Sequence, residues 1–269
     1  MSSDSPADPT LLLGLHGVFH RHPWIDRVLA EHGLSDEDMY ALCVARAEAY
    51  GWSSTQLTGP PPDGSRWGHN DAGHDGTEDA TVRQLAWLQV AVEEGLRGQR
   101  VPLLPVATVL DDALRHLGTY EFTGLHALVP VQLTPAEAYA SLHPGTDWVA
   151  TSGPGPAVPC RITLAAHPAA GLAPPAEELR ARLLDITRGQ LAAHPPTIPE
   201  ALHDRAGLRR PLEGDVPSVG LRPVLSLRCS VPAWSLDTAV WAAEATAISA
   251  HSLGARSPVL ITVSRGEDD

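Results

Sequence analysis

The stretch RPVLSLRCSVPAWSLDTAVWAAEATAISAHSLGARSPVLITVS, residues 222–264, decides the fold class. Its two ends, RPVLSLRCSV and SPVLITVS, are β-branched or leucine-rich runs with a proline near their start, and they read as strands. Between them Ser235 supplies a helix cap, and an almost wholly apolar run follows to about His251, with Gly254 as the stop. A helix that is apolar nearly all round is a buried one. Strand, helix, strand in this order predicts a βαβ unit with a right-handed crossover.

Upstream, LHALVPVQL (125–133) and VPCRITLAA (158–166) are further strand runs, and Pro174-Pro175 opens a helix through Leu179, Leu183 and Ile186. The plan of V-P or R-P, apolar strand, second proline and helix recurs loosely, as a duplicated β-α unit would. Before Gly118 the periodicity is read as helical. Ser35 with Asp36, Glu37 and Asp38 starts one helix, which carries Met39, Leu42, Cys43, Ala47 and Tyr50. A second is expected from Thr77 through Val82, Leu85, Leu88, Val92 and Leu96, and a third over 106–117. The expectation is therefore an α+β protein. Residues 1–120 would be a mainly helical part with a long polar loop at 51–77. They would pack on a mixed β-sheet in residues 121–269, with helices mainly on one face, as one composite domain or two.

All 19 basic residues among the 269 are arginine. With no lysine, pyridoxal phosphate Schiff bases, lysine aldolases, the P-loop lysine and kinase-type sites are excluded. The formal charge is −13, carried mostly by residues 1–122, where 18 acids face 8 arginines. Neither half offers a net basic surface, so nucleic acid and anionic membrane are not expected partners. Cys43, Cys160 and Cys229 are far apart, form no C-x-x-C pair, and alternate or repeat with apolar neighbours, which suits burial in a reducing cytoplasm. The segment MSSDSPADPT lacks a signal peptide's basic start, and no apolar run approaches the length of a membrane span.

Three stretches invite a chemical reading. AHSLG (250–254) resembles the nucleophile elbow G-x-S-x-G, but here the helix precedes Ser252 and the strand follows it, and no histidine comes after. It is read as a helix C-terminus. HGVFHRHPWID places His16, His20 and His22 close together. On a helix His16 and His20 would share a face as metal ligands do, yet Gly14, Gly17 and Pro23 oppose that helix. The richest stretch is RWGHNDAGHDGTED (66–79), with His69, Asp71, His74 and Asp75 among three glycines. Imidazole with carboxylate is the ligand set of zinc, manganese or iron. An EF-hand loop starting at Asp71 would need glutamate where Val82 stands.

Two functions follow as expectations. In the first, a cytoplasmic enzyme acts on a small molecule through His69, Asp71, His74 and Asp75 as acid, base or ligands. A divalent transition metal would be held by His20, His22, His69, Asp71 and His74, and Trp52 and Trp67 would wall the substrate pocket. In the second, the chain is a non-catalytic accessory, adaptor or self-assembling protein. Its polar loop is then merely solvated, its tryptophans anchor a protein partner, and a homo-oligomer is open to it.

Overall fold

Every second residue of TLLLGLHGVFHR faces the core, and in the computed structural model this run is a strand, β1 (Thr10–Arg21). The structure describes residues 9–50, 67–92, 101–134, 138–151, 156–167, 176–198 and 221–266. After β1 come α1 (Pro23–His32), α2 (Met39–Ala49), β2 (Trp67–His74), β3 (Arg83–Val92), α3 (Leu103–Leu117) and β4 (Gly118–Val129). Then follow α4 (Ala138–Ala150), β5 (Val158–Ala166), α5 (Ala176–Ile186), β6 (Ala192–Ala193), β7 (Arg222–Val231), α6 (Leu236–Ser252) and β8 (Val259–Arg265).

The strands form one eight-stranded sheet in the order β2-β3-β1-β4-β8-β5-β7-β6. The chain is α+β, as its sequence predicts, but every pairing is antiparallel, which corrects the expected mixed sheet. Strands β7 and β8 do run in the same direction and are joined by α6, yet β5 lies between them and is antiparallel to both. The crossover therefore spans two inter-strand gaps, about 10 Å, and leaves room for an inserted strand. A βαβ unit of directly paired strands is not what forms.

Residues 10–129 and 158–265 follow the same plan. In each, the first strand lies between the third and fourth and the second is outermost, giving β2-β3-β1-β4 and, in reverse order, β8-β5-β7-β6. This is the β-α-β-β-α-β split arrangement, present twice and joined through β4 and β8. The repeat is one of strand order between the two halves, and differs from the duplicated β-α unit that the proline pattern suggested after Gly118.

The helices cover one face of the sheet. Leu88, Leu13, Ala127, Ile261, Leu164 and Leu225 are opposite one another across six strands, and all belong to the buried core. Helix α6 packs on β4 and β8 and against α3, α4 and α5, so it is buried from Thr238 through Ala250 as its all-round apolar pattern requires. Its cap is the expected one, Ser235 Oγ accepting from the Thr238 amide at 3.1 Å. Trp241 donates its indole N–H to Thr146 at 3.1 Å, which satisfies the polar edge of a buried ring.

Two sequence expectations are replaced in the first half. The helix expected from Thr77 is strand β3, because Ala86, Leu88, Val90 and Val92 alternate toward the core while Trp87 and Gln89 point the other way. Residues 85, 88 and 92 fit both a period of 3.6 and a strand with a bulge, and the partner strands settle the choice. Part of the expected loop, residues 67–74, is likewise the outer strand β2. Among the described residues, those up to 120 thus supply three complete strands and the start of a fourth besides their helices.

Candidate functional site

Where β1 and β2 end on the helix-covered side, they meet the segment leading into α2. Asp38 caps that helix by accepting from Ala41 at 2.9 Å, which holds Asp36 and Glu37 just ahead of its N-terminus. His74, the last residue of β2, stands opposite Ala86 and so points to the same side as α2. Its Nε2 lies 3.1 Å from Glu37 Oε1 and 3.5 Å from Asp36 Oδ1. Arg21, the last residue of β1, reaches Glu37 Oε2 at 2.9 Å and Asp36 Oδ1 at 3.9 Å, and donates to the Gly76 carbonyl at 3.3 Å. Its backbone amide donates to Glu78.

The side chains of Glu37 and His74 are each 7 % exposed, and Asp36 is open to solvent. Burial, then the Asp36 carboxyl beside it, pushes the Glu37 carboxyl up, and the Glu37 side chain draws Asp36 down, helped by the Glu37 amide that donates to Asp36 Oδ1 at 2.9 Å. Although Arg21 takes one oxygen of Glu37, the other oxygen and His74 Nε2 are buried without a well-formed hydrogen bond. Among the described residues, Asp36, Glu37 and His74 are the one group of three whose ligand atoms all lie within 4.8 Å of one another. Two carboxylates and one imidazole suit manganese, iron or zinc.

Of the residues singled out in the sequence, only His74 belongs to this group. Because β2 is a strand, Asp71 stands opposite Gln89 and His74 opposite Ala86, on opposite faces of the sheet. Asp71 accepts from the Ala72 amide, and Asp75 is bound to the Thr77 amide and to Arg83. His20 is exposed on β1, and His22 stacks on Trp24 with ring centres 6.2 Å apart. The backbones of Trp67 and His69 pair with Val92 and Val90, and their side chains lie outside the described residues, as does Trp52. The sequence reading missed Arg21, Asp36 and Glu37. The two acids look like helix-capping residues in the sequence, and only the ends of β1 and β2 bring His74 and Arg21 to them.

A second polar group lies on the other face. His16 Nε2 and His126 Nδ1 are 2.6 Å apart, and both side chains are fully buried. Burial lowers His126 to about 3 and holds His16 well below its ordinary value, with the neighbouring His126 adding to the effect. Both imidazoles are therefore neutral at pH 7. The spacing of His16 and His20 suggested a helix pair, whereas strand alternation gives His16 a partner 110 residues away.

Cys43, Cys160 and Cys229 are free and buried, as the alternation predicts, and the sheet sets Cys160 opposite Cys229. Burial pushes Cys43 up to about 12, and the hydrogen bond with Cys160, then burial, raises Cys229. At pH 8 a thiol-specific reagent is expected to leave all three unmodified in the folded protein and to modify all three in urea. Reaction of the native chain at the unfolded rate would contradict this burial. Ser252 donates to the Ser249 carbonyl at 2.8 Å at the end of α6, a helix terminus rather than an elbow. No described helix is long and apolar enough to cross a membrane.

Comparison with protein-family models, with curated proteins and with solved structures finds no match.

Proposed function

We propose that this protein is an enzyme acting on a small molecule, with a divalent transition metal held by Asp36, Glu37 and His74. The observation that carries the reading is the convergence of Glu37 Oε1 and His74 Nε2, buried 3.1 Å apart without a well-formed hydrogen bond, with Asp36 Oδ1 beside them. Two such atoms at that distance are joined either by a proton on Nε2 or by a cation between them, and the cation is the reading proposed. Arg21 fixes Glu37 through the oxygen that faces away from His74 and offsets part of the negative charge. Asp36 is the exposed member, so it is the side from which a substrate approaches. A bound divalent metal would polarise a substrate oxygen or lower the pKa of a coordinated water. The free, buried thiols favour a cytoplasmic setting.

The rival reading is that Arg21 makes the cluster an ion-pair clamp tying β1, the start of α2 and the 75–78 turn together, in a non-catalytic protein. Metal content separates the two. The full chain, purified without a histidine tag, is expected to carry about one zinc, manganese or iron per molecule. A chelator should lower its melting midpoint, since saturation at 100 times Kd stabilises by about 2.7 kcal/mol. His74→Ala and Glu37→Gln should each abolish the metal and the chelator effect. A metal-free chain whose melt ignores both chelator and added metal would leave the clamp.

A further inference from the structure

We propose, on the reading that Asp36, Glu37 and His74 hold a divalent metal, that Arg21 is a resident counter-cation of that site. It balances the two carboxylates when no metal is bound and lowers the affinity when one is. The metal is therefore exchangeable, and the chain folds without it.

The contacts define this role. Arg21 Nη1 lies 2.9 Å from Glu37 Oε2, and Nη2 lies 3.9 Å from Asp36 Oδ1. That Asp36 oxygen is also the one 3.5 Å from His74 Nε2. The guanidinium and the imidazole thus share the same two carboxylates, and a metal on their oxygens has a positive charge as its neighbour. Arg21 is held in this position. Its side chain is 13 % exposed, the Gly76 carbonyl accepts from Nη2 at 3.3 Å, and Asp26 Oδ1 stands 3.5 Å from Nη1. A Cβ on Gly76 would stand 2.1 Å from Nη2, so the turn after β2 closes directly on the guanidinium.

The ligands have other supports. Asp36 Oδ1 accepts from the Glu37 amide at 2.9 Å, Asp38 caps α2 immediately after them, and His74 is set by the pairing of β2 with β3. Removing the guanidinium therefore changes the charge of the site more than its shape.

Charge then decides the sign of the effect. An arginine stays protonated throughout the range in which proteins fold. A metal about 2 Å from Asp36 Oδ1 would be no more than about 6 Å from Nη2. Repulsion between a divalent ion and a unit charge at that distance costs about tenfold in affinity even at the dielectric constant of bulk water. Asp26 offsets little of it, being 73 % exposed and screened by solvent. In the absence of metal the same guanidinium stabilises two neighbouring carboxylates. Loss of the metal therefore lowers stability without unfolding the chain, unlike in small zinc domains.

The test is calorimetric titration of the full chain, stripped by a chelator that is then removed, with manganese(II), zinc(II) and, in the absence of oxygen, iron(II). Arg21→Gln keeps an amide N–H but no charge, and is expected to bind the preferred metal about tenfold or more tightly than wild type. Arg21→Lys keeps the charge and should bind as wild type does. The stripped wild-type chain should still unfold cooperatively in a melting scan, and stripped Arg21→Gln should melt lower. The proposal is overturned if Arg21→Gln binds no more tightly than wild type, or if the stripped wild-type chain is already unfolded. If neither chain binds any of the three metals while Arg21→Gln melts lower, the metal centre itself fails and takes this role with it, leaving Arg21 as a clamp.

Discussion

Acidification from pH 7 to pH 5 is expected to lower the unfolding free energy by roughly 2 kcal/mol through His126, with His16 adding to the loss in the same direction. In the folded chain burial holds His126 at about 3 and His16 well below its ordinary value, whereas in the unfolded chain both titrate near 6.5. Between those limits the unfolded state binds more protons, so stability falls as pH falls. Well above pH 6.5 both states are neutral at these positions and the contribution is complete. Each histidine adds a slope of up to about 1.4 kcal/mol per pH unit. Urea unfolding at a series of pH values checks this against the double variant His16→Asn with His126→Asn. Lost packing in that variant is independent of pH, so the difference between the two curves isolates the histidines. Parallel curves between pH 5 and 7 would show that the pair is not buried and neutral as described.

Replacing Gly17 with alanine is expected to cost about 3 kcal/mol, at the upper end for overpacking. Gly17 sits in β1 between β3 and β4, and a Cβ there would be 2.1 Å from the carbonyl oxygen of Glu121. That oxygen belongs to the backbone of β4 and cannot rotate away as a side chain would. The central strands would have to part, loosening the sheet where Phe19 and Leu85 meet the core. Gly33 is the control. It closes α1 with φ of 66°, and a Cβ there meets nothing within 4 Å. Gly33→Ala should therefore cost only the left-handed strain, about 1 kcal/mol. Urea midpoints of the two variants test the contrast, and equal values would contradict the close approach of β1 and β4.

The site was legible in the sequence only at His74. The composition of residues 66–79 drew attention to the segment that contains His74, but a loop that curls around an ion and a strand that alternates its side chains make opposite use of the same residues. Asp71 and His74 are three apart, and on β2 that separation puts them on opposite faces. The acids that do meet His74 lie 37 and 38 positions earlier, where a local reading sees only the start of a helix. His126 likewise becomes informative only when β4 pairs with β1.

Readable from the residues alone are the α+β class, strands β5, β7 and β8, the core of helices α2, α3, α5 and α6, and the burial of the three cysteines. These rest on local patterns: clear alternation, a capped helix, an apolar run long enough to have one period. Tertiary structure decided the rest. It chose strand over helix for residues 83–92, made the sheet antiparallel throughout, and repeated one strand order in the two halves. It also brought Arg21, Asp36, Glu37 and His74 to one place and His16 to His126. The physical reason is that strand pairing is non-local. A strand's neighbours, and therefore the face on which each of its side chains acts, are set by hydrogen bonds to segments far away in the chain.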